Sequence, residues 1–166
     1  MSNWRLPENA PNTPLEAYGY LCDVATPSIE DLTLMLLIES AGQLLYDTLA
    51  AGTDNQGIKD LLARNGREEW AHAHRLSKVV EILSGKPCRV PELAENPLNC
   101  VMAVSPLTKE TLLAFVEGEV GGDRLYSTWA DACGNADVAA LLRQNAKEEL
   151  KHAERLREAA SLMDGV

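Results

Sequence analysis

The chain has 166 residues, with 15 basic and 25 acidic side chains and a formal net charge of −10. This length corresponds to one domain with a sizeable core. The excess of acidic residues argues against nucleic acid or an anionic membrane surface as a partner. No apolar run approaches the roughly 18 residues of a membrane-spanning helix, and the first residues contain no apolar signal core, so we expect a cytoplasmic protein.

The four cysteines are spread along the chain and form no Cys-x-x-Cys pair. That spacing is typical of zinc ribbons and rubredoxins, so its absence argues against both kinds of site. We therefore expect reduced thiols, most of them buried. The positions are Cys22, Cys88, Cys100 and Cys133.

In chain order, residues 1–27 contain four prolines and predict an N-terminal arm with one short helix near 15–22. Ser28, with acidic residues directly after it, is a typical N-cap, and it predicts a helix to about Ala51. A second helix is expected from Asn55 to residue 84, where Gly85 and a following proline end it.

Residues 85–107 contain four more prolines and predict a long connection without regular structure. Thr108 has the sequence context of an N-cap and predicts a third helix to about Ala132. Asn135 begins a fourth predicted helix, which extends to about Met163.

The second half of the chain repeats the first. A shift of 80 positions aligns residues 28–76 with 108–156 without a gap and pairs many identical side chains. A repeat of this kind predicts one helical hairpin used twice, over 28–84 and 108–163. Fully extended, the link between the hairpins reaches roughly 65 Å, more than the roughly 40 Å of one such helix. The sequence thus predicts an all-α fold: an antiparallel four-helix bundle with one long crossover.

Each repeat carries a Glu-x-x-His motif, at Glu69–His72 and at Glu149–His152. Residues three apart lie on one face of a helix, so each motif aims a carboxylate and an imidazole at one point. This combination suits a first-row metal ion. A single such motif is more typical of a solvent-exposed pair, and the duplication is what favours metal binding.

Glu39 and Glu119 are single charges in apolar stretches, each 30 positions before the Glu of its motif. In an antiparallel hairpin, residues at equal distances before and after the turn lie at the same height in the bundle. Glu39 and Glu119 should therefore lie beside the Glu of their motifs. The predicted metal ligands, which would also carry any catalysis through the metals, are Glu39, Glu69, His72, Glu119, Glu149 and His152.

The charges of this set predict two ions. Four ionised carboxylates carry −4, which two divalent ions neutralise, as do two trivalent ions with one bridging oxide. A set that is neutral in both states suits a redox-active pair of iron ions, with manganese as the alternative. The absence of thiolates disfavours structural zinc.

Four neighbouring residues have two possible roles each. Tyr46 and Tyr126 follow Glu39 and Glu119 by seven positions, so they could hydrogen-bond a metal ligand or be ordinary core tyrosines. Asn65 and Asn145 could likewise support the site or form polar contacts in the core.

Glu68 and Glu148 sit one residue away from the ligand face, and we expect them to form salt bridges on the outer face. Gly42 and Gly122 would leave space beside the metals, either for close helix packing or for a small ligand.

These residues give the chain a resemblance to a known superfamily. The stretch from residue 38 to Tyr46 and both Glu-x-x-His motifs resemble the ferritin-like di-iron carboxylate superfamily, most closely its rubrerythrin-like branch, over residues 28–163. The resemblance implies a four-helix bundle, a di-iron centre, reaction with dioxygen or hydrogen peroxide, and a homodimer.

The sequence departs from rubrerythrins at two points. They carry a further Glu where this chain has Gly122, and many have a rubredoxin domain, whose Cys-x-x-Cys pairs these 166 residues do not contain. An external electron donor is therefore expected. The residues from Gly118 to Gly122, with Tyr126, also resemble a motif of demethoxyubiquinone hydroxylases.

The sequence leaves three classes of function open. The first is a di-iron oxidoreductase that acts on peroxide or dioxygen, with hydroxylation of a small organic substrate as a variant. The second is iron handling, as a ferroxidase or a storage protein. The third is a helical interaction module with a structural metal site.

Overall fold

The structure is a computed structural model that describes residues 4–99 and 103–165. Within these residues it has five α-helices, two short 3-10 turns and no strand. This confirms the all-α prediction, including the short helix in the N-terminal arm. The α-helices are α1 (Pro14–Cys22), α2 (Ile29–Ala51), α3 (Gln56–Ser84), α4 (Lys109–Ala132) and α5 (Ala136–Leu162).

The helix ends lie where the capping residues predict them. The Ser28 side chain accepts a hydrogen bond from the backbone N–H of Asp31, whose side chain binds back to Ser28 and completes a capping box. At its other end, α3 terminates at Gly85, which has a left-handed φ of 67°. The side chains of Asn55, Thr108 and Asn135 cap the remaining long helices.

The four long helices form two hairpins, α2–α3 and α4–α5, and α3 packs against α5. Apolar side chains form two clusters, one on each side of a polar layer at mid-bundle. Leu36, Leu76 and Trp129 belong to one cluster. Ile58 and Leu156 belong to the other. The apolar clusters shield the polar layer from both ends of the bundle.

The link between α3 and α4 runs back along the bundle. The side-chain amide of Asn96 donates to the carbonyl of Leu37, at 2.7 Å, and to Oγ of Ser40, at 2.8 Å. Further on, the backbone N–H of Leu107 donates to the carbonyl of Gly52 at the α2–α3 turn, at 2.8 Å. The link thus passes mid-α2 and reaches the end of the bundle where α3 begins, so α4 starts parallel to α3.

Helix α1 packs onto this bundle. Ala17 and Leu21 are completely buried in the first apolar cluster. The Tyr18 hydroxyl donates to the carbonyl of Gly118 in α4, at 2.7 Å. After α1, the indole N–H of Trp129 donates to the carbonyl of Val24, also at 2.7 Å. The segment before α2 is thus part of the same packed structure.

The expectation of mostly buried thiols is wrong for the cysteines that the structure describes. Cys22 is exposed, and Cys88 and Cys133 are partly buried; all three are free thiols. The reason is position: Cys22 ends α1, Cys88 lies in the link and Cys133 follows α4, so none sits on the inward face of a long helix. Cys100 lies outside the described residues.

In the described part of the chain, the apolar stretches of the helices are too short to cross a lipid bilayer.

Candidate metal centre

His72 lies in a buried group of carboxylates at the centre of the bundle. Its Nδ1 atom is 3.5 Å from an oxygen of Glu39, 3.5 Å from one of Glu69 and 3.3 Å from one of Glu149. The carboxylates come from α2, α3 and α5. The α3 motif therefore meets the predicted ligands of both hairpins.

His152 has the matching surroundings in the other repeat. Its Nδ1 atom is 3.1 Å from Glu69, 3.3 Å from Glu119 and 3.5 Å from Glu149. Glu69 and Glu149 thus belong to both groups, and in each group four potential donor atoms lie within 4.8 Å of one another. The structure brings all six predicted ligands together in two groups that could each hold a metal ion.

The two histidines provide a test of whether metals fit these groups. Nδ1 of His72 and Nδ1 of His152 are both buried, and neither of these two atoms has a hydrogen-bond partner. The two rings are stacked, with centroids 5.1 Å apart. A buried polar atom without a partner is costly. A cation bound between each Nδ1 atom and its carboxylates would remove that cost, so the donor set fits a pair of metal ions.

The other ring nitrogen of each histidine is held by the opposite hairpin. Nε2 of His72 is 3.2 Å from a carboxylate oxygen of Glu148. Arg75, one turn after His72, binds the same oxygen of Glu148 and donates from Nε to Asn145 at 2.5 Å. With Glu148 accepting the Nε2 proton, the lone pair of Nδ1 is free to face a metal.

The second repeat has the same arrangement. Nε2 of His152 is 3.2 Å from Glu68, and Arg155 binds the two oxygens of Glu68 at 2.8 and 3.0 Å. Arg155 also donates to Asn65, at 2.9 Å, and the Asn65 amide donates to the carbonyl of His152 at 3.3 Å. Asn65 therefore supports the site, one of the two roles left open for it.

Glu68 and Glu148 form salt bridges as predicted, with Arg155 and Arg75, but the prediction that they lie on the outer face is wrong. Both are partly buried and point across to the histidine of the other hairpin, because the crossing of α3 and α5 brings their faces together. The available signal was Arg75 and Arg155, which occur at matching positions in both repeats and provide the charge partners.

The tyrosines also cross between the repeats. The Tyr46 hydroxyl donates to Glu119, and the Tyr126 hydroxyl donates to Glu39. Of the two roles open for these residues, the structure shows the hydrogen bond to a predicted ligand. Spacing along one helix could not identify which glutamate each hydroxyl binds, because the partner belongs to the other hairpin.

The two glycines allow the shared carboxylates to pack closely. A Cβ atom at Gly42 would lie 2.8 Å from Cβ and Cγ of Glu69, and one at Gly122 would lie 3.1 Å from Cδ of Glu149. Close packing is thus the role observed. It also explains physically why a Glu at position 122 would conflict with Glu149.

Burial and mutual repulsion set the pKa values of the carboxylates in the metal-free site. Burial and then the charge of Glu69 raise the pKa of Glu39 well above its usual range. Burial and then Glu149 do the same for the pKa of Glu119. Burial opposes ionisation of Glu69 and Glu149 as well, but the neighbouring Glu39 or Glu119 carboxyls and the histidines beside them outweigh it. Their pKa values are lowered, that of Glu149 to about 2.

The histidines shift in the opposite direction. Burial lowers the pKa of His72, but the carboxylates of Glu148, Glu149 and Glu39 outweigh it and raise the value well above the usual range. Burial also lowers the pKa of His152, but the surrounding carboxylates outweigh burial and raise this pKa to about 12. These shifts favour neutral carboxyls at Glu39 and Glu119, carboxylates at Glu69 and Glu149 and two imidazolium ions, a combination of zero net charge.

Two acidic or imidazole residues near the motifs lie outside the centre. Glu117 and His74 are exposed on the outer surfaces of α4 and α3. One residue of the arm, by contrast, lies closer to the centre than its sequence indicates. Tyr18 contacts α4 at Gly118, the residue before Glu119, and no pattern in residues 1–27 predicts this contact.

Comparisons of the chain with protein-family models, with curated proteins and with solved structures found no match.

Proposed function

We propose that this protein is a di-metal carboxylate protein of the ferritin-like type. In this proposal Glu39, Glu69, His72 and Glu149 hold one ion, and Glu119 and His152 hold the other together with the two shared carboxylates. The observation that supports it most directly is the pair of buried Nδ1 atoms without hydrogen-bond partners, each facing three carboxylates.

The chemistry of the donors favours iron, with manganese as the alternative. All six donors are carboxylate oxygens or imidazole nitrogens, and no cysteine of the described residues belongs to either group. Two divalent ions would neutralise the four carboxylates, and the tyrosine and arginine contacts would hold the ligands in place as charge changes. Zinc in structural sites is more often bound by thiolates.

The activity we propose is that of an oxidoreductase that acts on hydrogen peroxide or dioxygen, like the rubrerythrin-like proteins that the sequence resembles. A bound redox pair would supply the electrons for this chemistry. Reduction of peroxide to two waters consumes two electrons and two protons, so an external one-electron donor must restore the reduced state. The chain itself supplies a buried site. Glu68 and Glu148 fix the orientation of the two imidazoles, and Tyr46 and Tyr126 orient the carboxylates of Glu119 and Glu39.

The first experiment is metal analysis of the protein purified without added metal, beside Glu69→Ala and Glu149→Ala. We expect two iron or manganese ions per chain in the wild type and their loss in both variants. Glu117→Ala, on the exposed face of α4, is the matched control and should keep both ions. Sub-stoichiometric metal that neither ligand variant changes would contradict the proposal.

The second experiment separates the proposed activity from iron handling. Anaerobically reduced, iron-loaded protein is mixed with hydrogen peroxide or dioxygen in a stopped-flow spectrometer, and oxidation of the iron and consumption of the oxidant are recorded. Turnover with an added electron donor supports an oxidoreductase. Uptake of iron well beyond two ions per chain, with assembly into a large shell, would support storage in its place.

A further inference from the structure

Helix α1 lies against α4 beside the candidate centre, and Tyr18 makes the closest contact. Its hydroxyl donates to the carbonyl of Gly118 at 2.7 Å. A Cβ atom at Gly121 would lie only 2.7 Å from that hydroxyl oxygen, closer than real Cβ atoms approach other atoms. The position of the Tyr18 ring therefore depends on glycine at residue 121.

This contact is next to the predicted metal ligands. Gly122 follows Gly121 and lies against Glu149, with the virtual Cβ atom 3.1 Å from Cδ. Glu119 is two residues before Gly121, and its side chain, 10% exposed, is the most accessible of the six. Burial, the neighbouring Cys22, and then Glu149 and Glu119 raise the pKa of Tyr18, which agrees with a hydroxyl that faces the carboxylates.

The corresponding face of the other repeat is closed differently. The residues that align with Gly118 and Gly121 are Ile38 and Ala41, so α2 has no glycine gap there. In that repeat the link covers the helix, and Asn96, only 5% exposed, is held by two hydrogen bonds to α2. Tyr18 is more accessible than Asn96 and is held to α4 by one hydrogen bond.

We propose that small molecules reach the metal centre between α1 and α4, and that Tyr18 determines the size of what enters. This inference rests on the proposed function, because it assigns an entrance to the proposed di-metal site. No atoms beyond the helix's own backbone and its chain neighbours lie within 4 Å of a virtual Cβ atom at Gly118, so there is open space directly outside the contact. An entrance of this kind would admit molecules of two or three heavy atoms, such as dioxygen, hydrogen peroxide or azide, and exclude a ring such as imidazole.

The physical basis is the difference between the covers of the two repeats. The Tyr18 ring is partly buried, packs against the first apolar cluster and is held to α4 by one hydrogen bond. One neutral hydrogen bond contributes on the order of 1 kcal/mol. Asn96 is held by two hydrogen bonds in a buried position, so an opening on that side requires two buried polar groups to lose their partners.

The test uses cobalt(II)-loaded protein, because the visible absorption of cobalt(II) reports both metal binding and the arrival of an added ligand, without any turnover. Cobalt content is measured first. The rate of azide binding and the binding of imidazole are then recorded by stopped-flow absorption for the wild type, Tyr18→Phe, Tyr18→Ala and Gly121→Ala.

We expect azide to bind at least tenfold faster to Tyr18→Ala than to the wild type, and imidazole to bind measurably only to this variant. Gly121→Ala should also accelerate azide, because the added methyl group displaces the Tyr18 hydroxyl. Tyr18→Phe keeps the ring, and it should change the azide rate about fivefold at most, the effect of one hydrogen bond. Gly121→Ala leaves α1 unchanged in sequence, so it keeps the test valid if Tyr18→Ala proves too unstable.

Two control variants separate an entrance from general loosening of the fold. Tyr20→Ala removes the same type of side chain from α1, but Tyr20 is exposed and binds Asp31, away from the centre. Glu117→Ala changes an exposed side chain of α4 that makes no contact with Tyr18 among the described hydrogen bonds. Both should bind azide at the wild-type rate.

Each outcome has a distinct meaning. Normal cobalt content with equal azide rates in the wild type, Tyr18→Ala and Gly121→Ala would overturn this inference and leave the proposed function intact. An equal acceleration in Tyr20→Ala would also overturn it, since loosening of α1 would then be the cause. Failure of the wild type to bind cobalt would overturn the proposed function and the inference together.

Discussion

The two repeats of the chain agree closely where they face each other and differ where they face outward. Inward, a shift of 80 positions pairs identical ligands, tyrosines, asparagines and arginines. Each of these residues contacts the other repeat. The His72 ring, for example, is bound by Glu148, and Tyr126 binds Glu39. The site is therefore one structure with approximate two-fold symmetry, and neither hairpin contains a complete half of it.

Outward, the same shift pairs different residues. Gly121 under Tyr18 corresponds to Ala41, and the exposed Gly118 corresponds to Ile38. These differences match the different covers of the two faces, α1 on α4 and the link on α2. The comparison indicates that symmetry is required by the donor set, whereas access and packing are free to differ between the repeats.

The largest effect should separate shared from unshared carboxylates. Because Glu69 and Glu149 belong to both donor groups, alanine at either position should abolish binding of both ions. Alanine at Glu39 or Glu119 removes a ligand of one group only and should leave about one ion per chain. Metal content per chain, measured after gel filtration, checks this difference. Equal losses in all four variants would mean that the ions do not share ligands as the geometry implies.

A smaller effect on metal affinity should appear when the glutamate that contacts Nε2 of one histidine is changed. Glu148→Gln weakens the acceptor for Nε2 of His72 and leaves Arg75 without its charge partner, so one ion should bind roughly 10- to 100-fold more weakly. Glu68→Gln should have the same effect through His152. Competition with a metal chelator measures both affinities.

Glu154→Gln, on the exposed face of α5, is the control for this pair and should bind both ions as the wild type does. A large loss in only one of Glu148→Gln and Glu68→Gln would show that the symmetry of the contacts does not extend to their energetics.

Metal binding should release protons and become tighter as the pH rises. In the metal-free site the raised pKa values of Glu39, Glu119 and both histidines favour the protonated forms of these groups. Metal ligation requires neutral imidazoles and ionised carboxylates, so protons must leave. For each proton released, affinity should increase about tenfold per pH unit. Calorimetry in buffers of different ionisation enthalpy counts the protons, and a count of zero would contradict this prediction.

The sequence was sufficient to predict the parts of the fold that depend on local signals and on the repeat. Capping residues predicted the helix ends, and the spacing of Glu39, Glu69 and His72 predicted which residues meet. Contacts between hairpins were not predictable in the same way. The contact of Glu68 with His152 depends on the angle at which α3 and α5 cross. Sequence periodicity does not encode that angle, so the sequence predicts an outer-face position for Glu68. The contact of Tyr18 with α4 was missed for the same reason: it depends on how α1 packs, and a proline-rich arm carries no pattern for that.

The smallest effect should test the symmetry most finely. Tyr46→Phe and Tyr126→Phe each remove one hydroxyl that donates to an outer carboxylate, Glu119 or Glu39, and leave the ring in place. One such hydrogen bond contributes on the order of 1 kcal/mol, so each variant should bind its ion about fivefold more weakly. Because both hydroxyls are buried against equivalent carboxylates, the two reductions in affinity, measured by chelator competition, should agree within a factor of about two. A clearly larger loss in Tyr126→Phe would mean that the asymmetric surroundings, where Tyr126 packs edge-on against Trp129, extend into the site itself.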